Sequence, residues 1–227
     1  MFCRVRNNTA AKNAPGLGGD FYEAFVSHSH YARSDTDERH LSASPEYFVI
    51  ASIENAANAE IACMRNKIDL ILMDVCTVDD ESGLVAAAKI KRNYPHVKII
   101  IMTSMPEHSF IQKAKDSGCD SFWYKEQGNI SLLEICDRTM NGEFVWPDNS
   151  PTIIIGLAKS DEFTDRELDV IRALATGYRY EEMAAVLYMS PNTVKYHVKN
   201  ILQKTGFRST IQLVAEVVEK RLVLPKY

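Results

Sequence analysis

From position 21 to 143 the chain alternates short apolar runs with stretches whose apolar residues recur every three to four positions. The runs are YEAFVS, EYFVIASI, DLILMDV, VKIIIMTS and DSFWYK. They are rich in β-branched and aromatic residues, and several are apolar on both faces. Strands buried on both faces read this way. The periodicity between them predicts helices over about 58–65, 83–94, 108–117 and 130–140, with Gly, Pro or Asn near most ends. Such alternation predicts a parallel sheet with helices on both sides. Its span suits one five-stranded, doubly wound α/β domain over 21–145.

The pattern changes further on. Residues 146–162 are broken by Pro147, Pro151 and Gly156 and read as a linker, although the isoleucines at 153–155 are too apolar to be fully solvated. From 163 to 227 no strand pattern occurs, and four helices are predicted. Thr164 with Glu167 three residues on makes a capping box for the first, which stops at Gly177. The second covers about 181–187. Ser190 as N-cap and Pro191 at the first helical position open the third, which runs to about 205, before Gly206. The fourth covers about 209–222. A short helix, a tight turn and a longer cationic helix form a helix-turn-helix. Residues 1–20, rich in Asn, Gly and Ala and without periodicity, read as a mobile extension.

Composition narrows the class. Of 227 residues, 46% are hydrophobic and 25% charged, ordinary values for a soluble globular protein. No apolar run is long enough to span a membrane, and residues 1–20 hold no apolar block of the secretory kind. The five cysteines are scattered without CxxC spacing, which predicts a reducing cytoplasm rather than a disulfide or zinc framework. The net charge of −4 hides an asymmetry: residues 1–150 carry 15 basic and 21 acidic side chains, residues 151–227 carry 11 and 9. An acidic part joined to a slightly basic one predicts two modules with different partners.

In the third C-terminal helix, SPNTVKYHVKNILQKTG, Val194, Val198, Ile201 and Leu202 make the buried stripe. Lys195, Tyr196, Lys199 and Asn200 lie opposite, where long cationic side chains reach base edges in a major groove. Lys204 and Arg208 follow as candidate phosphate contacts. The same cations on a merely solvated helix face are the alternative. No second ligand stands at metal spacing around His197, which reads as packed or phosphate-facing. The stretch FTDRELDVIRALATGYRYEEMAAVLYMSPNTVKYHVKNILQKTGFRS resembles the LuxR-type helix-turn-helix throughout, without a gap. The resemblance implies that Lys195, Tyr196 and Lys199 face bases, and that Thr193, Lys204, Arg208 and Ser209 lie near the backbone of double-stranded DNA. It also implies a homodimer through the last helix, where Ile211, Val214, Val217 and Val218 are the candidate contacts.

In the N-terminal part, three polar residues end apolar runs: Asp74 after DLILM, Thr103 after VKIIIM and Lys125 after DSFWY. An open α/β sheet gathers such residues at the carboxyl ends of its strands. A carboxylate, a hydroxyl and an ammonium there suit phosphoryl transfer to Asp74. A structural Asp–Lys ion pair is the alternative. Residues 44–142 resemble the receiver domain of two-component response regulators. The resemblance makes Asp74 the phosphoacceptor, Thr103 the switch hydroxyl, Phe122 the aromatic that moves with it, and Lys125 the site lysine. A receiver followed by a LuxR-type helix-turn-helix is the NarL/FixJ architecture. It implies a cytoplasmic transcription regulator and a sensor histidine kinase as partner.

One position departs from that pattern. The acidic pair with which receivers bind Mg²⁺ falls on His28-Ser29, in FVSHSHYA, and neither is a hard carboxylate ligand. Asp35, Asp37 and Glu38 fall within the expected first helix. The loop after Asp74, CTVDDESG, is one residue longer than usual, and its Asp79, Asp80 and Glu81 read as solvated. The expectation is an atypical receiver with weak or no Mg²⁺-dependent phosphorylation. Protonated His28 and His30 would stand in for the metal's charge. Three alternatives stay open: a conventionally phosphorylated regulator drawing Mg²⁺ ligands from other carboxylates, a phosphatase-like α/β enzyme, and a pure protein-interaction module. The phosphatase reading lacks the Asp-x-Asp on a first strand, and no enzymatic activity is expected.

Overall fold

The computed structural model describes residues 22–27, 41, 44–77, 82–125 and 130–223. The extension at 1–20, the His28-Ser29 position, His30, the acidic residues at 35–38 and the loop carboxylates at 79–81 lie outside the described residues. The chain divides into two compact units, one of Met1–Thr103 with Ile111–Pro147, the other of Ser104–Phe110 with Asp148–Tyr227.

The first unit alternates as the apolar runs require. Its elements are β1 (Tyr22–Ser27), β2 (Tyr47–Ile53), α1 (Asn58–Arg65), β3 (Leu70–Asp74), α2 (Gly83–Asn93), β4 (Lys98–Thr103), α3 (Ser109–Asp116), β5 (Ser121–Tyr124) and α4 (Leu132–Met140). The strands form one sheet in the order β2-β1-β3-β4-β5, and every pairing is parallel. All five residues of β3 are buried, which is why that run shows no alternation. Leu70, Leu72, Ile100 and Met102 pack on one face with Leu132, Ile135 and Cys136 of α4. Ile71, Met73, Ile99 and Ile101 point the other way by strand alternation and are equally buried. The sheet is thus a wall between two apolar layers, and its polar residues collect at its ends.

At the amino-terminal edge, the buried Asp120 carboxylate takes Lys98 Nζ at 2.9 Å, Lys91 Nζ at 2.9 Å and the Ile99 N–H at 2.9 Å. Two ammoniums and an amide neutralise a charge that burial would otherwise penalise heavily. One residue on, at the start of β5, Ser121 Oγ lies 2.7 Å from Thr139 Oγ1 and accepts the Val145 N–H, tying α4 and the chain beyond it to the sheet.

The second unit begins earlier than its helices. β6 (Ile154–Ile155) and β7 (Ala158–Lys159) form an antiparallel hairpin where the sequence reads as a linker. The isoleucine run is a strand because Ile155 and Ala158 are fully buried in this unit's core. The Leu157 N–H donates to the Thr205 carbonyl at 2.9 Å, and Lys220 Nζ donates to the Ile154 carbonyl at 2.7 Å. A 3-10 turn (Ser160–Glu162) leads into α5 (Asp165–Ala175), α6 (Tyr180–Val186), α7 (Pro191–Thr205) and α8 (Thr210–Glu219). Their core joins Phe163, Leu168, Ile171, Met183, Val194, Val198, Ile201, Leu213 and Val217. Among the described residues no helix is long and apolar enough to cross a membrane.

Candidate functional site

Three neighbouring parallel strands end in the three predicted polar residues. Asp74 closes β3, Thr103 closes β4 and Lys125 follows β5, so the register itself brings them to one edge. Lys125 Nζ lies 2.9 Å from Asp74 Oδ2, and both side chains are more than nine-tenths buried. Asp74 Oδ1 accepts the Cys76 N–H at 3.2 Å. The Lys125 N–H donates to the Thr103 carbonyl at 3.0 Å, so one residue holds both the strand end and the carboxylate. Thr103 is itself 1% exposed. Phe122 is buried on the face of β5 that carries Tyr124, with the ring centroids 5.0 Å apart.

Gly83 also shapes this edge. A Cβ on Gly83 would lie 1.9 Å from the Asp74 carbonyl oxygen and 2.9 Å from the Met73 side chain. Its N–H donates to the Val75 carbonyl at 2.9 Å, and Cys76 and Ser82 form an isolated bridge that closes the intervening loop. Only a residue without a side chain lets α2 start this close to the β3 end. Sequence pattern alone leaves Gly83 as an ordinary helix start. Its signal is its place just beyond the loop that follows the candidate phosphoacceptor.

In the second unit, Ser190 caps α7 by accepting the Thr193 N–H at 3.1 Å, with Pro191 next. Val194, Val198 and Ile201 are buried, and Leu202 is half-buried. Thr193, Lys195, Tyr196 and Lys199 are exposed together on the opposite face. His197 is half-buried, its ring 5.9 Å from that of Tyr196 in an edge-on arrangement. Thr193 Oγ1 lies 2.8 Å from Ser190 Oγ, so its hydroxyl belongs to the cap as well.

The candidate backbone contacts part company. Arg208 is exposed. Ser209 Oγ accepts the Gln212 N–H at 3.3 Å, and thereby caps α8. Lys204 points inward: Nζ lies 2.7 Å from Glu167 Oε2, donates to the Glu162 carbonyl at 2.7 Å and sits 5.3 Å from the Phe163 ring centroid. Burial alone would raise the Glu167 pKa, but the hydrogen bond from Lys204 and those of Thr164 outweigh it, and the carboxyl titrates below its ordinary value. This cluster joins the end of α7 to the capping box of α5. Nothing in the helical spacing of Lys204 distinguishes such a cation from a solvated one.

The candidate dimer face is also sorted. Ile211 is 80% exposed, and Val214 and Val218 are half-buried on the same stripe. Val217 is wholly buried, which corrects its assignment as a contact. It sits beside Leu213 at helical spacing on the inner face of α8, within the unit's own core.

Comparison with known families places each unit in a known domain family. Residues 37–137 match the response regulator receiver domain, and residues 161–217 match the bacterial regulatory proteins of the luxR family. The chain is a response regulator with a LuxR-type DNA-binding domain. The regulator is 28% identical over 192 residues to the response regulator protein VraR of Staphylococcus epidermidis, covering 81% of this chain and 90% of that protein. It has the same identity and coverage with VraR of one Staphylococcus aureus strain. Among solved structures it is similar to RcsB from Salmonella enterica serovar Typhimurium bound to promoter P1flhDC in the presence of a phosphomimetic. The TM-score is 0.54 and the identity 17%, over 87% of this chain and 98% of that one. That likeness carries the fold, a receiver followed by a helical DNA-binding domain.

Proposed function

We propose that this regulator reads DNA as a homodimer through α7, with Lys195, Tyr196 and Lys199 against base edges and Thr193 and Arg208 along the backbone. The observation that carries this is the division of α7 into a buried apolar face and an exposed face with two lysines and a tyrosine at one-turn spacing. Long cations reach guanine O6/N7 from such a helix, and Tyr196 adds an aromatic surface beside them. Ile211, Val214 and Val218 offer the apolar stripe for a second copy. A salt-titrated binding assay on promoter fragments tests the reading. Lys199→Ala should lower sequence preference, whereas Arg208→Ala should weaken binding to all duplexes and flatten the salt slope. A wild-type protein with no preference over random DNA overturns it.

The input is Asp74, and the receiver is atypical. In phosphoryl transfer a carboxylate oxygen attacks phosphorus as the bond to the leaving group breaks, and nearby cations offset the incoming charge. Lys125 supplies one such cation. The residues present do not fit the usual Mg²⁺ site, because His28-Ser29 replaces the acidic pair and neither is a hard carboxylate ligand. Phosphorylation of Asp74, by a small-molecule donor or by a sensor histidine kinase, is then slow and insensitive to Mg²⁺. Phosphoramidate treatment with and without Mg²⁺, followed by intact mass, tests this. A complete, Mg²⁺-dependent gain of one phosphoryl group that vanishes in Asp74→Ala restores the conventional reading.

A further inference from the structure

Several helices of this chain end in the same way. The N–H three residues past the helix reaches back to a carbonyl in the last turn, and the residue before it adopts left-handed backbone angles. After α3, α4 and α5 that left-handed residue is glycine: Gly118, Gly142 and Gly177. After α6 the hydrogen bonds are those of the same motif. The Met189 N–H donates to the Ala184 carbonyl at 2.9 Å, and the Tyr188 N–H to the Ala185 carbonyl at 3.3 Å. The left-handed residue is now Tyr188, with φ 52°. Among the described residues the other non-glycine with positive φ is Arg221, at the end of α8. A bulky L residue is strained in this region, where glycine or asparagine is not.

The fold gains nothing visible from the tyrosine. Its side chain is 93% exposed, the most exposed large apolar side chain among the described residues. Its ring therefore buries almost no apolar surface of its own unit to offset the strain. Strain that packing does not offset points to a contact made outside the free molecule. The position says with what. Tyr188 lies two residues before Ser190, the N-cap of α7. In a helix-turn-helix the first helix crosses the DNA backbone and the start of the second meets the bases, so the turn between them borders the sugar-phosphate chain. Tyrosine hydroxyls are among the side-chain groups that bond phosphate oxygens there.

We propose that Tyr188 is a DNA-backbone contact of this regulator, its ring lying along a sugar and its hydroxyl donating to a phosphate oxygen. The assignment rests on the DNA-binding reading above. It predicts a signature that a structural residue would not show: relieving the strain should strengthen the fold and weaken the complex together.

The test uses the full chain with Tyr188→Asn and Tyr188→Phe. Asn suits the left-handed backbone, so its C-terminal unit should unfold at higher urea than wild type. Its affinity for any duplex should fall about three- to tenfold, what one lost hydrogen bond removes. Because the lost group is neutral, the fall should be equal at every salt concentration, with the salt slope unchanged. Tyr188→Phe keeps the strain and loses only the hydroxyl, so it should unfold like wild type and still bind more weakly. Wild-type affinity in both variants overturns the contact while leaving DNA binding intact, and would direct the search to a protein partner for this ring. Failure of the wild type to bind any duplex overturns the DNA-binding reading and this contact with it.

Discussion

Lys204 Nζ and Glu167 Oε2 are 2.7 Å apart, 37 residues apart in sequence, and they lock the end of α7 to the start of α5. Lys204→Ala removes the bond to Glu167 and the bond to the Glu162 carbonyl together. It should destabilise the C-terminal unit by about 1–3 kcal/mol, the usual worth of hydrogen bonds to charged groups. Urea unfolding followed in that unit measures it. The salt slope of DNA binding should stay near wild type, since an ammonium already held by the protein releases few phosphate counterions.

The same pair sets a pH dependence. The Glu167 carboxyl is held below its ordinary value in the folded state, burial opposing and the Lys204 and Thr164 hydrogen bonds prevailing. A depressed folded pKa means that the unfolded state binds the proton more tightly. The stabilisation is then complete above the unfolded value of 4.5 and is lost as pH falls through the folded value. Urea titrations of wild type and Glu167→Gln from neutral to acidic pH should converge in the acid range. A constant gap between them at every pH would disprove the linkage.

Gly83→Ala should strike the first unit. A methyl group 1.9 Å from the Asp74 carbonyl oxygen forces α2 away from the β3 end. The expected loss is about 3 kcal/mol or more, at the upper end of the usual overpacking range. Because the displaced carbonyl belongs to Asp74, phosphorylation of the remaining folded protein should fall as well, read by intact mass after phosphoramidate treatment.

Val217 and Ile211 lie on one helix and should behave oppositely. Val217→Ala leaves a hole in a fully buried core and should cost about 1–3 kcal/mol. Ile211→Ala alters an exposed side chain and should change stability by less than about 0.5 kcal/mol. If α8 joins two copies, Ile211→Ala makes DNA binding depend on higher protein concentrations, as sedimentation and binding isotherms would show.

How much of this was legible in the chain follows from what each signal depends on. The five strands are read correctly because their runs are buried on both faces, and burial leaves a compositional mark. Capping by Thr164 and Ser190 is local, so the residue type at one position suffices. The edge of Asp74, Thr103 and Lys125 is legible because a parallel sheet sends all strand ends to one side. The isoleucines at 153–155 mislead because a two-residue strand is too short to show a period. Lys204 and Val217 mislead for a related reason: helical spacing gives a residue's angle around the axis but not what packs there. Lys204 meets a carboxylate from α5, and Val217 faces its own core. The strain at Tyr188 has no sequence signal beyond the absence of the usual glycine or asparagine.

The Asp120 clasp has a mechanical consequence. At the amino-terminal edge β4 and β5 are riveted by two ammoniums and a backbone amide on one buried carboxylate. At the opposite edge the Asp74 carboxylate is held by one ammonium and one amide. A charge added at Asp74 acts directly on Lys125, which is also the residue whose amide pins the Thr103 carbonyl. A shift begun at Asp74 therefore has a path to the end of β4 through Lys125, while the start of the same strand is clasped to Asp120.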